Sequence, residues 1–261
     1  MKAITVLSLL AVALLGGGCY TVPETGRRAF VLPIYNDTAM GAAGFADLKA
    51  KGTISHDPQA NARVRRVGER IARAVGSDLP SAEWEFVVFD DANEINAFAL
   101  PGGKVGVYTG LLRVAPSDDE LAVVMGHEIG HVTARHGAER MSEGVALAAG
   151  GLLLGAALND NRHRDEWLAA YGLGATVGVM LPYSRLNENE ADEIGLIYAA
   201  KAGYDPGAGV IFWQRMMAES AGKAKLPTFL STHPANADRI RHIQSLLPKV
   251  APVYQQHRKD H

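Results

Sequence analysis

Two histidines four residues apart, His127 and His131, stand in the run Gly126-His127-Glu128-Ile129-Gly130-His131. On a helix this spacing puts both imidazoles on one face about one turn apart, close enough to hold a single metal ion. Glu128 follows the first of them and can lean over the open side of the ion, where a carboxylate takes a proton from a water activated by Zn²⁺. The pattern therefore points to metal-assisted hydrolysis with Glu128 as the base. The plain alternative is a chance match on an ordinary helix, which composition alone makes rare.

A third donor is needed, and Glu188 and Asp192, also four apart, supply it in Ser184-Arg185-Leu186-Asn187-Glu188-Asn189-Glu190-Ala191-Asp192-Glu193. Sharing a helix face, Glu188 can complete a site of three protein ligands while Asp192 accepts the second ring N–H of a ligand histidine. Glu190 points elsewhere. Taken alone, such an acidic run also reads as a solvated helix start; beside the histidine pair the metal reading is the stronger. Arg185 has two roles open to it, pairing with Asp192 or another buried carboxylate, or a place on the surface.

The first motif needs a helix to carry it, and the flanking residues specify one. Ser117 and Glu120 form a capping box, Asp118 and Asp119 place negative charge in the first turn, and Leu121, Val124, Met125, Ile129 and Val132 recur at helical spacing.

The segments HEIGHVTARH, SRLNENEADEIGLIYAAKAGYDP and STHPANADRI, in that order, resemble metallopeptidase family forty-eight, the gluzincins of the HtpX, BepA and CAAX prenyl protease type, and most closely its soluble bacterial envelope members. The resemblance covers roughly residues 58 to 248. It implies an α+β fold, a mostly helical zincin-type domain with a small β-sheet beside the HExxH helix. It implies one Zn²⁺ per chain on His127, His131 and Glu188, with Glu128 as catalytic base and Asp192 behind a ligand histidine. His233 matches a histidine on a loop near the metal, and three roles stay open for it: donor to the oxyanion, occluding fourth ligand, or plain loop residue. Asn96, Ala97, Phe98 and Ala99 match a strand beside the cleft, which implies an edge able to pair with an extended peptide; an ordinary hairpin fits those residues equally well.

The chain has 261 residues, 48% of them hydrophobic, enough for one sizeable core, and a net charge of -2 that argues against a nucleic-acid partner. Lys2, the apolar run Ile4 to Leu15 and the small residues before Cys19 form a targeting segment, too short to span a bilayer. Cys19 is the sole cysteine, so no internal disulfide can form, and its position at the end of the segment suggests lipidation. The usual lipoprotein pattern has Leu where Gly16 stands, which leaves ordinary signal cleavage as the alternative. Tyr20 after the cysteine favours the outer membrane by resemblance to such lipoproteins.

The expected organisation is a signal peptide over 1–18, a tether over 19–56, a metallopeptidase domain over 57–248 and a polar, frayed tail over 249–261. Asp57 and Pro58 should open a helix whose apolar face is Val64, Val67, Ile71 and Val75, with Arg63, Arg65, Arg66, Arg70 and Arg73 on a solvated face. Strands are expected over 84–90, 94–100 and 104–108. Two Gly- and Ala-rich apolar runs, 144–158 and 167–181, predict a helical hairpin packed on the domain, with a membrane-dipping hairpin as the alternative. The later apolar residues Ile211, Phe212, Met216 and Met217 read as core, and the histidines at 56, 136, 163, 242, 257 and 261 as structural or exposed.

Two functions fit these features. One is a zinc endopeptidase of the bacterial cell envelope, anchored through acylated Cys19, facing the periplasm and acting on unfolded or misfolded envelope polypeptides. The other is an assembly or quality-control factor that mainly binds such clients, with proteolysis restrained. A purely structural zinc domain fits poorly, because structural sites are usually closed by Cys-rich sets.

Overall fold

In the computed structural model, residues 18–33, 36–159, 161–176, 181–222 and 226–258 are described. All of the expected signal peptide except Gly18 lies outside them, as do 177–180 of the second apolar run. The chain divides into two compact units, one made of the segment up to Tyr35 together with 134–187, the other of 36–133 and 188–261.

The first unit begins with an antiparallel hairpin, β1 (Gly18–Thr21) and β2 (Arg28–Val31), in which Cys19 faces Phe30 across the register. In the second unit come α1 (Asp37–Lys51), capped by Asn36, and α2 (Pro58–Val75), capped by Asp57 with Pro58 in its first turn. The stretch expected as a tether, 19–56, therefore holds a hairpin and a helix of 15 residues. Its glycines look like linker composition, but Gly41 is a packing residue: a Cβ there would sit 2.1 Å from the Pro101 carbonyl oxygen. Only glycine lets α1 approach that turn so closely.

The sheet has the order β3 (Glu85–Phe89), β5 (Lys104–Tyr108), β4 (Ala97–Leu100), with β3 parallel and β4 antiparallel to the central β5. Gly102 and Gly103 turn the chain between β4 and β5 at φ of 86° and 81°, the left-handed region that a residue with a Cβ enters at a cost. β4 is an edge strand among the described residues, and Asn96 just before it accepts a backbone bond from Tyr108 at 3.0 Å. Ala97 is buried, while Phe98 joins Phe45, Phe89 and Tyr108 in an aromatic cluster.

After α3 (Thr109–Val114) comes α4 (Asp118–Thr133), which carries the histidine pair. Its capping box forms as the sequence predicts: Ser117 N donates to Glu120 Oε2 at 3.1 Å, and Glu120 N to Ser117 Oγ at 3.2 Å. From Glu120 onward α4 is buried on nearly every side, so it is a central helix rather than a surface one. The arginine face of α2 is correspondingly less solvated than its composition suggests. Arg63 and Arg66 both bond to Asp118 in the first turn of α4, and Arg70 stacks over Tyr204.

The first unit continues with α5 (His136–Ala157) and α6 (Arg164–Ala175), the expected helical hairpin. α7 (Leu181–Lys201) follows, and Gly203 just beyond it, with φ of 78°, is the usual glycine stop. In α8 (Ala208–Ser220) the core residues are Phe212, Trp213 and Met216, whereas Ile211 and Met217 are exposed, because the helix buries only one stripe. Behind α9 (Thr228–Thr232) the chain closes with α10 (Ala237–His257), which passes through Pro248 and Pro252 to His257. The tail expected to fray is thus helical as far as His257. Each proline costs about 3 kcal/mol in a helix interior, and burial of Leu246 and Val250 around them supplies an offset of the same order.

Candidate metal centre

α4 and α7 meet backbone to backbone, and glycine makes this possible. A Cβ on Gly126 would lie 2.7 Å from the Gly195 carbonyl oxygen, and one on Gly195 2.6 Å from the His127 nitrogen. Gly130 approaches Ala191 in the same way, with its added Cβ 3.0 Å from that carbonyl oxygen. A Cβ at Gly126 or Gly195 would force the backbones apart, and the contact brings the histidines of one helix to the carboxylates of the other.

Four donors converge there. His131 Nε2 lies 3.1 Å from His127 Nε2 and 3.2 Å from Glu188 Oε1; His233 Nδ1 lies 3.2 Å from His127 Nε2 and 3.0 Å from Glu188 Oε2. Bonds of about 2.0–2.1 Å to a tetrahedral zinc ion put ligand atoms about 3.3 Å apart, so the separations fit such an ion. The donor set, imidazole nitrogens and one carboxylate, also suits zinc. His127, His131 and Glu188 are brought together as the sequence predicts, and His233 joins them as a fourth donor.

Electrostatics agree with a cation at this point. Burial opposes the charged form of His127, but the hydrogen bonds it donates to Asp192 and Glu188 outweigh it and raise its pKa to about 9. Burial would likewise raise Glu188, yet three surrounding histidines hold it far below the usual carboxylate range. The cluster thus stabilises positive charge among its members, which is the charge a metal ion brings.

Asp192 lies behind the histidine cluster, its Oδ1 2.9 Å from His127 Nδ1. This contact leaves Nε2 of that ring facing His131 and His233, where it could hold an ion. Its partner is Arg239 and not Arg185, which is exposed because it lies on the outer face of α7. The buried Arg239 guanidinium donates two bonds to Asp192, at 2.8 and 2.7 Å, and one nitrogen is 3.1 Å from Glu188. It also stacks 3.7 Å above the Trp213 ring. Against burial, Arg239 and His127 together pull Asp192 down to about 2. Sequence reasoning missed Arg239; its signal was an arginine placed one turn after the helix cap Asn236, six residues beyond His233.

Glu128 is buried and its Oε1 lacks a hydrogen-bond partner among the described residues; His233 Nε2, 3.4 Å away, is the nearest charge partner. Burial pushes its pKa up, with His233 and His127 opposing. The loop bearing His233 is held by α9: Phe229 N donates to the Ile95 carbonyl oxygen at 3.1 Å, and His233 N to that of Phe229 at 2.8 Å. Phe229 stacks on Trp213, and this aromatic pair packs against the imidazoles of His127 and His233.

Imidazoles and a carboxylate converging beside a buried glutamate, on a mostly helical α+β frame, define a zincin-type metallopeptidase centre. The chain belongs to peptidase family M48, whose family model matches residues 58–247. It is 40% identical over 187 residues to the mitochondrial metalloendopeptidase OMA1 of Schizosaccharomyces pombe, covering 71% of this chain and 52% of that protein. It is 35% identical over 229 residues to a putative beta-barrel assembly-enhancing protease of Vibrio cholerae, covering 84% of this chain and 46% of that protein. The beta-barrel assembly-enhancing protease of Escherichia coli is 29% identical over 245 residues, covering 92% of this chain and 50% of that protein. The chain thus spans about half the length of these curated relatives.

Proposed function

We propose that the protein is a zinc-dependent endopeptidase of the bacterial cell envelope that hydrolyses misfolded or unassembled envelope polypeptides. The observation that carries this reading is the convergence of His127, His131 and Glu188 beside the unpartnered buried oxygen of Glu128. A zinc ion held there supplies polarisation of the scissile carbonyl and acidification of the attacking water. Glu128 Oε1 accepts the water proton as oxygen attacks the carbonyl carbon, and returns it to the leaving nitrogen as the C–N bond breaks. Asp192 holds the His127 ring through Nδ1, and Arg239 holds Asp192. The open edge of β4, from Asn96 to Ala99, offers main-chain groups to an extended substrate largely irrespective of its side chains. The envelope assignment is supported by the assembly-enhancing names of several relatives and by the signal-like segment ending at Cys19, which we read as acylated in the outer membrane. The metallopeptidase domain is assigned to 57–248, following the motifs.

His233 favours a restrained enzyme. With Nδ1 3.0–3.2 Å from its neighbours it occupies the corner of the donor set that substrate or water would need, so we assign it as an occluding fourth ligand of the resting form. That arrangement keeps the client-binding role as a second reading. The deciding assay uses the chain from residue 19 with Cys19→Ser, incubated with an unfolded polypeptide beside Glu128→Gln at equal zinc content. Cleavage by the wild-type site alone supports the endopeptidase; no cleavage by either, with zinc bound, supports the binding role.

A further inference from the structure

The hairpin of α5 and α6 exposes more apolar surface than its own unit covers. No residue from Gly144 to Leu158 or from Trp167 to Thr176 is charged. Beyond Ser142 only Gly155 of α5 is buried, and no residue of α6 is. Leu152 is 75% exposed, Leu173 67% and Trp167 56%. A helix that is apolar all round belongs in a protein core or in lipid.

The pair is nevertheless well pinned. Tyr171 Oη donates to the Leu147 carbonyl at 2.9 Å and Arg164 Nε to that of Gly155 at 3.2 Å. Gly150 admits the tyrosine because a Cβ there would lie 2.4 Å from its hydroxyl. The exposed face is therefore a built surface, and over its described residues it is shorter than a bilayer core. At 1.5 Å per residue α6 is about 18 Å long and the uncharged part of α5 about 21 Å, against about 30 Å of hydrocarbon. Among the described residues no helix is long and apolar enough to cross a membrane. Trp167 follows the charged stretch Arg162, Arg164, Asp165 and Glu166, and Trp and Arg are residue types that settle at headgroup depth.

The same unit carries Cys19, exposed in β1 and opposite Phe30. β2 and its flanks are locked onto the start of α5: Arg27 bonds twice to the buried Glu139 at 2.7 Å, and Leu32 N donates to Ser142 Oγ at 2.9 Å. An acyl chain on Cys19 would hold α5 close to the bilayer. We propose that the α5–α6 hairpin docks flat in the interfacial layer of the membrane that anchors Cys19, presenting Leu152, Trp167 and Leu173 to the acyl chains. The choice of a lipid occupant rests on reading Cys19 as acylated.

The test removes that dependence by using the chain from residue 19 with Cys19→Ser, which cannot be acylated. It is sedimented with vesicles of phosphatidylethanolamine and phosphatidylglycerol beside the double variant Leu152→Glu, Leu173→Glu. The expected result is co-sedimentation of the parent and a drop of at least about tenfold in the partition coefficient of the double variant, with an unchanged melting temperature. Vesicles should also blue-shift tryptophan emission, a shift absent from Trp167→Phe, so a misfolded double variant would not leave the matter open. A parent that stays in the supernatant, equal binding by both proteins, or a dimer that the double variant dissociates without any vesicle effect would overturn the proposal. Incorporation of a labelled fatty acid into the full chain, absent from Cys19→Ser, tests the acylation separately.

Discussion

Replacing Arg239 by methionine removes the cation while retaining an unbranched apolar side chain, and leaves Asp192 buried without its two guanidinium bonds. Breaking a buried pair from one side costs about 3–5 kcal/mol, because the remaining charge has lost its compensation. At about 2–4 °C per kcal/mol for a chain of this size, the melting temperature should fall by about 6–20 °C. The assay is thermal unfolding in excess chelator of the parent, Arg239→Met, Asp192→Asn and the double variant, so that zinc affinity does not enter. The double variant no longer strands a carboxylate, and should be less destabilised than the sum of the singles by at least about 2 kcal/mol. Effects that add to within about 0.5 kcal/mol would refute the view of Arg239 and Asp192 as one mutually neutralised pair.

Glu188→Ala should lose both bound zinc and hydrolysis; full zinc occupancy in that variant would remove Glu188 from the ligand set. His233→Ala should raise cleavage of an unfolded polypeptide severalfold if the residue occludes the metal, and a fall of about a hundredfold would assign it instead to the oxyanion. Gly195→Ala drives a methyl group into the backbone of His127, so it should lower stability by about 1–3 kcal/mol and weaken zinc binding, both visible in a zinc-dependent melt. At Asp118 burial is outweighed by the bonds from Arg66 and Arg63, so its folded pKa lies below the unfolded value. That stabilisation is present above the unfolded carboxylate pKa of about 3.9 and is lost as pH falls through it and below. Asp118→Asn should therefore flatten the acid limb of a stability profile, and an unaltered slope would count against the pair.

Spacing and helix chemistry made much of the centre legible. A four-residue interval places His127 with His131, and Glu188 with Asp192, on single helix faces whatever the tertiary fold, and a capping box announces α4 from Ser117 and Glu120 alone. The three strands were readable from β-forming residues and turn glycines for the same reason, since the signal is local. Long-range partners were not. Arg239 reaches Asp192 across 47 positions of chain, and no local pattern singles it out from the other arginines. Arg63 and Arg66 read as a solvated face until Asp118 of another helix meets them. Gly41, Gly126 and Gly195 have the composition of loops or flexible points, but serve as contact points where backbones touch. The passage of α10 through Pro248 and Pro252 is likewise a tertiary outcome, because buried neighbours offset a local penalty that sequence reasoning sees uncompensated. Local periodicity thus determined which side chains share a face; packing between distant segments decided which faces meet, which charges are neutralised and that His233 stands with the metal donors.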